Sequence, residues 1–177
     1  SSRKITVSTS GYIKPIQRLM EEGRAVNLAF SVGSPNPLKR VKLMPVEKTN
    51  SIMDVAWVLK EYLAQHNRKL TLEYTLLEGE NDTKQDIQEL INLAKFLDAK
   101  INLINLNPHP KIPFQPVTNH AIAGIKRAIL DQGVQATIRF KKGQDISAAC
   151  GQLGESLANV SMKAPKSPGK SAQKGGA

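Results

Sequence analysis

One cysteine, Cys150, stands in the run Gly143-Gln144-Asp145-Ile146-Ser147-Ala148-Ala149-Cys150-Gly151-Gln152-Leu153. A thiolate is a strong nucleophile at neutral pH, and a helix N-terminus makes it more available. A lone cysteine also serves as a small apolar filler, and the residues alone leave both readings open. Cysteine usage excludes an internal disulfide framework and suits a reducing cytoplasm. The three histidines, His66, His109 and His120, form no set with metal-ligand spacing, with each other or with Cys150, so no metal site is expected. Hydroxyls and amides are better placed for chemistry. Ser8-Thr9-Ser10, Ser31, Glu78 to Asp82, Asn105, Asn107 and the stretch from Lys141 each follow or close an apolar run. They offer donors and acceptors to a ligand, or hydrogen bonds to nearby backbone.

The elements that would position these groups alternate. Lys4 to Ser8 predicts a short strand closed by Gly11, and Tyr12 to Glu22 a helix ending at Gly23. Val26 to Val32 is a nearly continuous apolar run bounded by Gly33 and Pro35, the mark of a strand buried on both faces. Ile52, Val55, Ala56, Leu59 and Leu63 share a helix face, with Ser51 and Asp54 as a capping pair. Trp57 lies on the same helix and is expected in the core or partly covered. Leu70 to Leu77 predicts a strand, and Thr83 with Asp86 caps a helix striped by Ile87, Leu90, Ile91, Ala94 and Leu97. Ile101 to Ile104 predicts another strand, cut off by Asn107-Pro108-His109-Pro110. After a Pro-rich loop, Ile122, Ile125 and Ile129 mark a helix that stops at Gly133. Val134 to Phe140 and Ile146 to Leu157 give a last strand and helix. Strand–helix alternation of this kind argues for a parallel sheet with right-handed crossovers. A Rossmann-like open sheet and a piece of a (β/α) barrel both fit, although the first turn lacks a G-x-G-x-x-G phosphate loop. Either architecture puts its site at the C-terminal ends of the strands.

The 177 residues suit one domain with a modest core. They carry a formal charge of +10; Lys163, Lys166, Lys170 and Lys174 supply four of the basic groups from a tail without acids, and elsewhere 21 Lys and Arg face 15 Asp and Glu. Such a balance favours polyanions, nucleic acid above all. The tail from Val160 onward is mostly Lys, Ser, Pro, Gly and Ala and is expected to be disordered. No run approaches the ~20 apolar residues of a membrane span, and Ser1 to Ile5 has no apolar leader core, so neither membrane nor secretion is expected.

Several segments, in order along the chain, resemble the radical-SAM methyltransferases that modify adenosine at carbon 2 in large-subunit ribosomal RNA and tRNA. The run from Gly143 to Leu153 resembles that family's G-D-D-I-D-A-A-C-G-Q-L signature, with Gln144 and Ser147 as departures. Ile101 to Ile104 leading to Asn107-Pro108 resembles I-N-L-I-x-x-N-P, and Thr6 to Gly11 resembles T-x-S-T-S-G. Ala29 to Asn36 resembles A-I-S-L-H-A-P-N, with Gly33 where the pattern has His; Glu73-Tyr74 and Asn81-Asp82 also agree.

The resemblance implies an α/β fold, the C-terminal part of a radical-SAM (β/α) partial TIM barrel with parallel strands and crossover helices. Residues 1–158 would form that partial barrel with its catalytic-cysteine segment, and 159–177 the basic tail. It implies that Ser8, Ser31, Val32, Gly33 and Asn107 contact S-adenosylmethionine, and that Cys150 takes a methyl group from it before a deoxyadenosyl radical activates that methyl for addition to adenine. The implied partners are ribosomal RNA and tRNA. The family's [4Fe–4S] cluster is held by C-x-x-x-C-x-x-C, which this chain lacks, and its cluster-bearing half would be a further partner. The chain alone is therefore expected to be inactive, as a fragment or split gene product. The alternative is a non-catalytic RNA-binding remnant. His109, in the loop after Asn107, lies at the expected site edge; His66 and His120 are expected at the surface.

Overall fold

The computed structural model describes residues 2–139. Cys150, the helix expected over 146–157 and the basic tail lie outside the described residues.

Five strands form one sheet: β1 (Thr6–Thr9), β2 (Asn27–Ser31), β3 (Leu70–Leu76), β4 (Lys100–Asn105) and β5 (Ala136–Arg139). All neighbours are parallel and follow one another in sequence order, β1-β2-β3-β4-β5. The order never reverses. A doubly wound sheet needs such a reversal, so the sheet winds one way, as in a barrel segment, and right-handed crossovers place the crossover helices on one face.

The helices are α1 (Ile13–Glu21), α2 (Pro37–Leu43), α3 (Ile52–His66), α4 (Lys84–Leu97) and α5 (Asn119–Asp131). Short 3-10 turns occupy Ser2–Lys4 and Pro45–Lys48. Local chemistry sets the starts. The Ser51 hydroxyl accepts the Asp54 amide, and Thr83 and Asp86 form a reciprocal capping box that satisfies two otherwise orphaned donors. Helix α2 was absent from the expected elements. Its seven residues have no apolar period, but Asn36 accepts the amides of Leu38 and Lys39, and Pro37 takes the first turn, where its missing N–H costs nothing.

The core lies between sheet and helices. Leu28, Phe30, Leu72, Tyr74, Ile101 and Leu103 point from the strands into Val55, Leu59, Leu90, Ile91, Ile122 and Ile129, all nearly or fully buried. The Tyr62 hydroxyl of α3 accepts the Val26 amide at 2.8 Å and donates to its carbonyl at 2.7 Å, tying α3 to the entry of β2. One surface expectation needs correcting, that of His66, and Trp57 is partly covered rather than core. Trp57 is 60% exposed, because it lies two residues past Val55 on the outward side of α3, where it meets the Phe96 ring edge-on at 5.2 Å. His66 is only partly exposed; its ring lies 4.8 Å from Tyr62, and its Nε2 is enclosed with no hydrogen-bond partner among the described residues. Among the described residues no helix is long and apolar enough to cross a membrane.

Candidate functional site

Parallel register fixes which side chains share the face away from the helices. Ser8 pairs with Ala29 and Ala29 with Thr71; one row nearer the C-terminal ends, Ser31, Glu73, Asn102 and Thr137 stand side by side. The next row brings Thr75, Ile104 and Arg139 together. Thr137 donates to Asn102 at 3.1 Å, and the Arg139 guanidinium approaches the Glu73 carboxylate to 4.0 Å. This face is polar where the other is apolar. It is the face a barrel would turn inward.

The strand ends are held by a buried arginine that sequence reasoning did not single out. Arg40, fully buried in α2, donates from Nε to the Val32 carbonyl at 2.9 Å and from Nη2 to the Ser10 carbonyl at 2.8 Å. Its Nη1 pairs with Glu47, whose carboxylate also accepts the Ile52 amide at 2.9 Å. One fork thus joins the ends of β1 and β2 to the start of α3. The guanidinium lies over the Phe30 ring at 5.6 Å. Gly11 makes room: it has φ +98°, and a Cβ there would sit 3.0 Å from Phe30 and 3.1 Å from Arg40.

After β2 the chain turns at Gly33, with φ +70°. A Cβ at this position would fall 2.5 Å from the Met44 sulfur, so Met44 fills the space that a side chain at position 33 would need. Asn81, fully buried, donates to the carbonyls of Gly33 and Thr75 at 2.9 Å each, and the Tyr74 hydroxyl donates to the Asn81 carbonyl at 2.7 Å. Burial, with Asp86 and Asp82 nearby, pushes the Tyr74 phenol well above its ordinary value and keeps it a donor. Beyond β4, Asn105 pairs with Val117 through both main-chain groups, at 2.8 and 3.1 Å, and so holds the Pro-rich loop over the strand ends.

Between these parts lies a pocket of ≈ 460 Å³. Ser31, Gly33, Glu73 and Thr75 line its sheet side; Met44, Leu106, Ile112 and Phe114 supply apolar walls. Its volume is in the range of small-ligand sites. The expected site residues therefore separate. Ser31 and Gly33 line the pocket directly. Asn107 is half-buried in the loop just past Leu106. The Val32 side chain is buried in the core, and its carbonyl accepts both Arg40 and the Ser34 amide. Ser8 borders a different, smaller hollow of ≈ 250 Å³ beside β1 and α1. Glu73 and Thr75 were not expected as site residues; the visible signal was the alternation of Thr71, Glu73 and Thr75 with Leu72, Tyr74 and Leu76.

Among the described residues no three His, Cys, Asp or Glu side chains are placed to hold a metal ion. A [4Fe–4S] cluster does not fit this chain, whose single cysteine cannot supply its thiolates. An S-adenosyl ligand does fit the pocket, with apolar walls for a flat ring and hydroxyl, carboxylate and main-chain groups on one side.

No protein-family model matches the chain. A probable dual-specificity RNA methyltransferase RlmN from Thermoanaerobacter sp. (strain X514) is 39% identical over 152 residues, 86% of this chain and 44% of the relative. The crystal structure of a radical SAM methyltransferase from Sphaerobacter thermophilus superposes with a TM-score of 0.81 at 38% identity, over 86% of this chain and 45% of that one. A domain of pyruvate-formate lyase-activating enzyme from Bacteroides vulgatus ATCC 8482 shares the fold, with a TM-score of 0.59 at 16% identity, over 76% of this chain and 80% of that one. The chain spans less than half the length of the curated relatives it matches.

Proposed function

We propose that this chain, which belongs to the dual-specificity radical-SAM RNA methyltransferase family as a C-terminal portion of it, works as the cofactor-binding and methyl-carrying part of an enzyme that methylates carbon 2 of adenosine in ribosomal RNA and tRNA. The observation that carries the proposal is the pocket at the ends of β2 and β3. It is bounded by Ser31 and Gly33, from one of the segments that carry the resemblance, and roofed by the loop containing Asn107.

In this reading the ends of β2, β3 and β4 grip S-adenosylmethionine in the pocket, and Ser8, which borders a separate hollow, joins them where the ligand reaches past β2 to β1. Ser8 and Ser31 offer hydroxyls and Asn107 an amide to ribose, methionine or adenine edges. Val32 and Gly33 act through the shape of their main chain, which Arg40 and Asn81 hold. Gly33 offers no imidazole, so any contact made by a histidine at this position in relatives is replaced here by the Met44 thioether wall. When bound, S-adenosylmethionine supplies the methyl group and, with a cluster from elsewhere, the radical. Cys150 is the thiol that carries the methyl towards the adenine ring. The basic surface and tail hold RNA through its phosphates.

The cluster must come from a barrel half with C-x-x-x-C-x-x-C, so the chain alone is expected to be inactive. Co-expression with such a half tests the proposal. Iron and methylated adenosine are expected in the pair, neither in the isolated chain, and no product in the pair carrying Cys150→Ala. Full activity of that variant overturns the assignment of Cys150. Assembled halves that bind iron and RNA yet make no product overturn the enzyme reading in favour of the RNA-binding remnant.

A further inference from the structure

We infer that Glu73 is an additional cofactor-binding residue, whose carboxylate accepts the two vicinal ribose hydroxyls of an S-adenosyl ligand lying across the ends of β2 and β3. The inference rests on the cofactor reading above and assigns the contact it leaves open, the one acidic group on the sheet side of the pocket.

Glu73 lies on the middle strand of the sheet, in one row with Ser31 and Asn102. It lines the pocket beside Ser31 and Thr75. Its side chain is only 20% exposed, yet its carboxylate makes no hydrogen bond to any described residue. Among the described residues its one ion-pair contact is Arg139 at 4.0 Å, itself 65% exposed and so a weak, solvated partner, and Lys111 also lines the pocket. A carboxylate accepts about four hydrogen bonds. A shielded carboxylate inside a cavity, with no hydrogen bond from any described residue, has room for donors.

The rest of the pocket says which donors. Leu77, Ile112 and Phe114 give apolar surface suited to a flat ring, and Ser31 adds a hydroxyl. A nucleoside joins those demands, a ring for the walls and a vicinal diol for the acid. Dinucleotide-binding sheets solve the same recognition with an acidic residue on the ribose hydroxyl. A carboxylate is also suited to the sulfonium or the ammonium of the ligand, so the test separates these sources.

The full chain is titrated with S-adenosylmethionine, with S-adenosylhomocysteine, which lacks the sulfonium, and with 5′-methylthioadenosine, which lacks both sulfonium and ammonium. Ligand-observed NMR at millimolar ligand reads the affinities, and Glu73→Gln and Arg139→Gln are compared with wild type at equal melting midpoints. Glu73→Gln is expected to weaken all three ligands alike, by about tenfold, as the loss of charge-assisted hydrogen bonds requires. Arg139→Gln is expected to leave them within about twofold, as befits an exposed pair. Unchanged affinity for 5′-methylthioadenosine in Glu73→Gln overturns the ribose assignment, whatever happens to the charged ligands. Equal losses in both variants overturn it too, because the pair rather than the carboxylate would then matter. No binding of any ligand by wild type defeats the cofactor reading itself, and this inference with it.

Discussion

Along β3 every second side chain belongs to a different world. Leu70, Leu72, Tyr74 and Leu76 are buried against the helices, while Thr71, Glu73 and Thr75 keep part of their surface open on the other face. The backbone is common to both sets, so the contrast isolates what each face does. The helix side removes apolar area from water and supplies the stability. The opposite side contributes little packing, and its polar rows and pocket are free to serve a ligand. A third region links them: Arg40 and Glu47 sit at the strand ends, inside the protein but bonded to the loops that shape the pocket.

That contrast can be broken by substitution. The largest effect is expected at the link. Arg40→Met leaves Glu47 buried without its cation and should cost about 3–5 kcal/mol in urea unfolding, of which the further change Glu47→Leu should restore a large part. A single variant as stable as wild type would mean the pair holds nothing together. Next comes the helix side, where Leu72→Ala opens a cavity in a fully buried site and should cost about 2–5 kcal/mol. Smallest is the open face: Thr71→Val and Glu73→Gln should each move stability by no more than about 0.5 kcal/mol. If Glu73→Gln destabilised as much as Leu72→Ala, the two faces would not divide the work and the contrast would fail.

The legible parts of the fold were those written locally. Ser51 and Thr83 announce α3 and α4 because a hydroxyl three residues before an acid satisfies amides that lie within the same turn. The alternation in β3 and the apolar run in β2 mark strands because side-chain period reports burial. What could not be read depends on distant partners. Glu47, seven residues on, does not by itself announce a buried guanidinium; the Arg40 acceptors on the strands, Ser10, 30 residues earlier, and Val32, meet it only once the sheet exists. The same holds for α2, whose cap is local but whose anchoring is not. Strand order, which separates a barrel segment from a Rossmann-like sheet, is likewise a property of the pairing. At the site, Ser31 and Gly33 were visible through resemblance and do line the pocket, whereas Glu73 required the register to show which neighbours it faces. Trp57 was expected in the core or partly covered, and only the structure shows it turned outward against Phe96.

In the cofactor reading the site occupies the C-terminal ends of the strands on the face away from the helices. Hydrogen exchange of the full chain, read by mass spectrometry with and without S-adenosylmethionine, tests it most directly. The account predicts slowed exchange in the turn after β2 around Gly33 and in the loop after β4 containing Asn107, with no change at the opposite strand ends around Arg24 and Arg68. Protection confined to those opposite ends, or along the outward faces of α3 and α4, would contradict it.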